Sequence, residues 1–113
     1  MKKTTVAVLG STGSIGQSTL DIIKKNKKFK VELIIANKNY SKIIKQINIF
    51  KPRFVIISDE KIYLKIKKKF KYKNIVFLNN ISNVRKYINR IDITVSAIPG
   101  IAGLEPTILF TKI

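Results

Sequence analysis

The chain contains no cysteine and no histidine. Without cysteine, disulfides and thiolate metal sites are excluded. Without histidine, the commonest general base and the commonest metal ligand are missing. Six carboxylates (Asp21, Glu32, Asp59, Glu60, Asp92 and Glu105) are scattered along 113 residues, so no hydrolytic or metal constellation stands out. No apolar run approaches the roughly 20 residues of a membrane span. Lys2 and Lys3 precede a short apolar run. That run ends at a glycine turn rather than a small-residue cleavage site, and no signal peptide is read.

Negative charge is scarce and positive charge is not. The formal net charge is +17, which taken alone suggests nucleic acid or an anionic surface. Arginine is scarce within that excess: only Arg53, Arg85 and Arg90 accompany 20 lysines. Base readout and phosphate forks favour Arg. The lysines are spread along the predicted helices, with one cluster from Lys65 to Lys73. Together with abundant Ile and Asn, they read as codon usage in an AT-biased genome. Tyr63, Phe70, Tyr72 and Phe77 lie near the cluster, and packing of helix on strand accounts for them at least as well as base stacking.

Length suits one small domain or part of a larger one, and a hydrophobic fraction of 45% is enough for a core. The organising stretch is V-A-V-L-G-S-T-G-S-I-G, Val6 to Gly16. A buried-type apolar run meets Gly10, Gly13 and Gly16, and an amphipathic run follows. Strand, glycine turn and helix in that order hold a dinucleotide pyrophosphate in a Rossmann unit. Glycines let the backbone approach the phosphates, and the N–H groups and dipole of the helix start face the charge.

The periodicity then predicts strands at Thr4–Leu9, Phe29–Ala36, Phe54–Ile57, Asn74–Leu78 and Asp92–Ile98. Helices are predicted over Ser14–Asn26 (Ile15, Thr19, Ile22 and Ile23 inward, Gln17, Asp21, Lys24 and Lys25 outward) and over Lys42–Phe50 behind a Ser41 cap. A third begins at Ser58 or Asp59 and runs to Phe70. A short helix is predicted around Val84–Ile88, after a turn in which Ser82 is a possible cap, and a last one from about Leu104. Pro52 ends the second helix and disfavours helical geometry at Lys51. The expectation is a three-layer, doubly wound α/β fold of the Rossmann type. Its parallel sheet has about five strands in order 3-2-1-4-5, with helices on both faces. A sixth strand would normally follow, so the stretch reads as cut short.

The end of the second strand sets the nucleotide. NAD-binding units carry Asp or Glu there for the ribose diol. Here the place is Ala36-Asn37-Lys38-Asn39. Lys38 would attract a 2′-phosphate and Asn39 could donate to it, so NADP is favoured over NAD. Ser96 to Gly103, small residues at the carboxyl end of the fifth strand, leave room for the nicotinamide half.

Three segments together resemble one family: G-S-T-G-S-I-G-Q-S-T-L-D (Gly10–Asp21), A-N-K-N (Ala36–Asn39) and A-I-P-G-I-A-G-L-E-P-T (Ala97–Thr107). They are similar to the N-terminal part of 1-deoxy-D-xylulose 5-phosphate reductoisomerases. The resemblance implies an NADP-binding Rossmann domain over 1–113, with NADPH contacts at Thr12, Gly13, Ser14, Ile15, Lys38 and Asn39. It implies that Gly100 to Thr107 flanks the nicotinamide, and that Asn37 stands where the family often has Gly. The family's full-length enzyme is cytoplasmic and typically a homodimer. It needs Mg²⁺ or Mn²⁺ and converts 1-deoxy-D-xylulose 5-phosphate to 2-C-methyl-D-erythritol 4-phosphate in non-mevalonate isoprenoid biosynthesis. Its Asn-Lys-Glu motif, acidic metal ligands and lid are not in these 113 residues, so the chain alone is expected to be inactive and no catalytic or metal residue is assigned. Two alternatives remain open. One is another NADP-dependent Rossmann oxidoreductase of the semialdehyde-dehydrogenase kind, against which A-N-K-N and G-L-E-P-T count. The other is a basic nucleic-acid-binding domain.

Overall fold

The computed structural model describes residues 3–71, 74–80, 86–87, 91–96 and 107–110, the last four by their backbone. The elements are β1 (Thr4–Leu9), α1 (Ser14–Lys24), β2 (Phe29–Ala36), α2 (Tyr40–Phe50) and β3 (Phe54–Ile57). They continue as α3 (Glu60–Lys69), β4 (Val76–Leu78), β5 (Ile93–Ser96) and β6 (Thr107–Phe110).

The sheet runs β4-β3-β2-β1-β5-β6. Its first five strands are parallel, and β6 joins β5 antiparallel. The doubly wound class is as expected, but the order 3-2-1-4-5 is corrected. The crossovers through α1, α2 and α3 all step the same way, so β4 lies outside β3. The reversal comes only after β4, and it brings β5 beside β1. Right-handed crossovers on one face must step in one direction. Nothing in the apolar periodicity marks which crossover turns back.

A second correction concerns the C-terminal stretch. Thr107–Phe110 is a strand paired with β5, not part of a helix from Leu104. A four-residue run of Thr, Ile, Leu and Phe suits a pleated edge, and Pro106 lies outside the described residues. The short helix around Val84–Ile88 lies outside the described residues except for Lys86 and Tyr87, which are helical. Ser82 and residues 97–103 lie outside them too.

The core has two sides. Val6, Val8, Val31, Ile34, Val55 and Ile57 pack against Leu20 and Ile23 of α1, Ile43 and Ile47 of α2, and Ile66 of α3. Ala7, Leu33, Ile35 and Ile56 face the opposite way, with Ile91 and the partly buried Tyr87. Strands buried on both faces explain the unbroken apolar runs. In β2 an irregularity sets which face each residue takes. Val6 pairs with Val31 but Ala7 with Leu33, so Glu32 is an extra residue. Without it Val31 and Leu33 would share a face.

Helix α1 is rotated relative to expectation. Gly16, Leu20 and Ile23 are buried, whereas Ile15 and Ile22 are 46% and 67% exposed. Asp21, Lys24 and Lys25 face water as read, but Gln17 is half-buried. Asn39, not Ser41, caps α2 by accepting from Lys42 N–H, while Asp59 caps α3 through Ile62 N–H. Ser41 Oγ donates to Asn39 Oδ1 instead. The helix does stop at Lys51, in left-handed geometry (φ 47°, ψ 56°). At the amino ends, Thr5 N–H and Oγ1 donate to Asp92 Oδ2 at 2.9 and 3.2 Å, tying β1 to the start of β5.

Candidate functional site

The switch point of the sheet lies at β1, between β2 and β5. Open α/β sheets bind ligands beyond the carboxyl ends of strands at such a point. The chain leaves β1 there through Gly10, which adopts φ 83°, a conformation only glycine takes without strain. Gly10 and Ser11 N–H both donate to Ile35 O, at 2.8 and 3.0 Å. The turn is thereby held against the end of β2.

The turn closes when Gly13 N–H donates to Gly10 O at 3.2 Å, and the first helical bond runs from Gln17 N–H to Gly13 O at 2.9 Å. Gly16 passes directly beneath. A Cβ on it would collide with Gly10 O and come within 2.8 Å of Ser11 Cα. Gly13 is the N-cap of α1, and no side chain caps the helix. The N–H groups of Ser14, Ile15 and Gly16 therefore precede the first helical bond without a partner among the described residues, and no acidic residue occupies the first turn. Ser14 and Ile15 are exposed and Thr12 is half-buried. This is a positively polarised backbone surface open to an anion. Thr12, Gly13, Ser14 and Ile15 are brought together in it.

Lys38 and Asn39 follow the carboxyl end of β2, the strand on which the turn leans. Both are exposed. The two halves of the Asn39 amide are used differently. Its Oδ1 accepts from Lys42 N–H at 3.3 Å, which leaves its NH₂ group as a donor. Asn37 is occupied elsewhere: its Oδ1 accepts from Ser58 Oγ at 2.8 Å, and Asp59 N–H donates to its carbonyl at 3.3 Å. Among the described non-glycine residues only Lys51 has positive φ, so Asn37 does not reproduce a glycine-only conformation. Of the small-residue segment after β5, only Ser96 and the backbone of Thr107 fall within the described residues.

Two residues escaped the sequence reading. Gln46 of α2 reaches across to donate from Nε2 to Ser11 O at 2.8 Å. Gln17 donates from Nε2 to Thr12 O at 2.9 Å. Both line a groove of about 200 Å³ between α1 and α2, with Leu20 and Phe50. The signal for Gln46 was present: it falls among Ile43, Ile47 and Phe50, on the arc that must be buried. A polar side chain there needs a specific partner.

Comparison with known proteins decides the family. The model for 1-deoxy-D-xylulose 5-phosphate reductoisomerase matches residues 6–112. The chain belongs to the 1-deoxy-D-xylulose 5-phosphate reductoisomerase family. The reductoisomerase of Pelagibacter ubique is 44% identical over 119 aligned positions, which cover 99% of this chain and 30% of that protein. That of Wolbachia pipientis subsp. Culex pipiens is 41% identical, over 96% of this chain and 28% of its own length. Among solved structures, the reductoisomerase from Zymomonas mobilis in complex with NADPH superposes with a TM-score of 0.79. The pair is 30% identical over 90% of this chain and 28% of that one. A reductoisomerase in complex with NADPH, fosmidomycin and magnesium gives a TM-score of 0.79 at 26% identity, over 89% of this chain and 26% of that one. The chain thus spans about 30% of the length of the curated relatives it matches.

Proposed function

We propose that residues 1–113 are the NADPH-binding domain of a reductoisomerase that converts 1-deoxy-D-xylulose 5-phosphate to 2-C-methyl-D-erythritol 4-phosphate. The observation that carries this reading is the uncapped start of α1. It follows a turn that Gly10 and Gly16 allow to close, and it lies next to a β2 end with a cation where NAD-binding units have an acid. The residues present fit the dinucleotide. Thr12, Gly13, Ser14 and Ile15 would hold the pyrophosphate through backbone N–H groups. Lys38 would neutralise the 2′-phosphate, and Asn39 would donate to it from the amide half its cap leaves free. When bound, NADPH supplies the hydride for the reductive step.

A divalent ion, which the resemblance implies for the whole enzyme, does not fit these residues. Among the described residues no three His, Cys, Asp or Glu converge, so no metal step is assigned to this chain. By itself it is expected to turn over no substrate. No helix of the described residues is long and apolar enough to cross a membrane. A cytoplasmic location and a homodimeric parent enzyme belong to the same family reading.

Lys38 provides the test. In Lys38→Glu, NADPH affinity should fall by about tenfold or more, the loss of one charge-assisted contact plus a repulsion, while NADH affinity stays within a factor of about two. Equal NADPH affinity in both proteins would remove Lys38 from the site.

A further inference from the structure

A turn that binds an anion through its N–H groups must also keep its carbonyl oxygens away from that anion. Every carbonyl from Gly10 to Gly13 is taken by a donor of the chain. Gly10 O accepts from Gly13 N–H and Gly13 O from Gln17 N–H. Ser11 O and Thr12 O are held by side chains, Gln46 Nε2 at 2.8 Å and Gln17 Nε2 at 2.9 Å. A trans peptide is planar, and its C=O and N–H point in opposite directions. Gln46 therefore draws the Ser11 carbonyl toward α2 and aims Thr12 N–H the other way. That N–H has no acceptor among the described residues.

Gln46 sits in the core at an energetic cost. It is only 7% exposed, and its Oε1 is buried without a partner among the described residues. An unsatisfied acceptor in a core is unfavourable, and an apolar residue of equal length would avoid it. Local rules broken in this way mark functional positions.

We propose that Gln46 and Gln17 are positioning residues for the dinucleotide pyrophosphate. They turn two carbonyls of the glycine turn away from the ligand and present Thr12 N–H to a phosphate oxygen. The inference rests on the NADPH reading above. It extends the site from the turn itself to one residue on α2 and one at the end of the first turn of α1.

The test uses the 113-residue chain with Gln46→Met and, separately, Gln17→Met. Both substitutions keep side-chain length and remove the donor. NADPH and 2′-AMP, which has the 2′-phosphate but no pyrophosphate, are titrated against each protein while amide resonances are followed. In the unaltered chain, NADPH should shift the Thr12 amide strongly. Each variant should remain folded by its spectrum and bind NADPH about tenfold more weakly (~1.4 kcal/mol). The Thr12 shift should shrink in each, while the affinity for 2′-AMP stays unchanged. A pair that merely staples the helices to the turn would lower the unfolding midpoint and leave NADPH affinity and the Thr12 shift intact. That result overturns the proposal, as does equal weakening of both nucleotides. If Gln46→Met does not fold, the half-buried Gln17 position carries the decision. An unaltered chain that binds neither nucleotide would instead overturn the NADPH reading, and the inference with it.

Discussion

A Cβ added at Gly16 would collide with the Gly10 carbonyl oxygen and come within 2.8 Å of Ser11 Cα. Both are backbone atoms of a turn already fixed by bonds to Ile35 O, so neither can give way cheaply. Gly16→Ala should therefore destabilise the chain by ~1–3 kcal/mol, the range for overpacking, as measured by chemical denaturation. An unchanged midpoint would contradict the close packing of α1 under the turn. Asn39 permits a sharper separation of roles. Asn39→Asp keeps an acceptor for Lys42 N–H and adds a favourable charge at a helix start, so stability should change by less than about 0.5 kcal/mol. NADPH affinity should drop, because a carboxylate replaces the donor that would face the 2′-phosphate. If affinity were retained, Asn39 would be a cap and nothing more.

At the scale of elements, the close approach of Gly16 explains what periodicity could not. Leu20 and Ile23 lie four and seven residues after Gly16, on its own face of the helix. Ile15 and Ile22 lie about 100° away. Reading hydrophobicity alone selects Ile15 and Ile22. Burying Gly16 against the turn sets the rotation and leaves them exposed. The strand cores at Val6–Val8 and Leu33–Ala36 were legible because both sheet faces are covered there. The cap of α3 was legible only as Ser58 or Asp59, and the bond from Ile62 N–H selects Asp59. The Asn39 cap was not legible, because Ser41 is an equally good capping residue and only geometry chooses. The strand order was illegible for a similar reason: crossovers that continue and crossovers that reverse have the same pattern. The placement of the glycine turn beside β2 does not depend on that choice, since β1 keeps β2 on one side in either order. At the end of α2, Lys51 adopts left-handed geometry with φ 47° while its N–H donates to Ile47 O at 2.9 Å. Left-handed geometry costs a side-chain-bearing residue about 1–2 kcal/mol, part of which glycine gives back in unfolded-state entropy. Lys51→Gly should raise stability by about 0.5–1 kcal/mol. A loss on urea denaturation would mean that the lysine side chain contributes more than its backbone strain removes.

The molecule as a whole carries a formal charge of +17, and this field attracts any polyanion. NADPH, NADH and duplex DNA would all gain from it at low salt. Such attraction is screened within about 8 Å at physiological ionic strength and about 3 Å at 1 M. Contacts that Lys38 and the turn would make with a docked nucleotide are shorter than either length. Selectivity that survives salt therefore separates a built site from a general field. The deciding measurement is a titration of the unaltered chain with NADPH, NADH and a DNA duplex, at low salt and at about 0.5 M salt. The NADPH-domain account predicts that NADPH still binds at the higher salt, with NADH at least about tenfold weaker, while DNA binding collapses along a steep salt slope. Equal affinity for the two nicotinamide nucleotides, or loss of all three ligands together as salt rises, would contradict it.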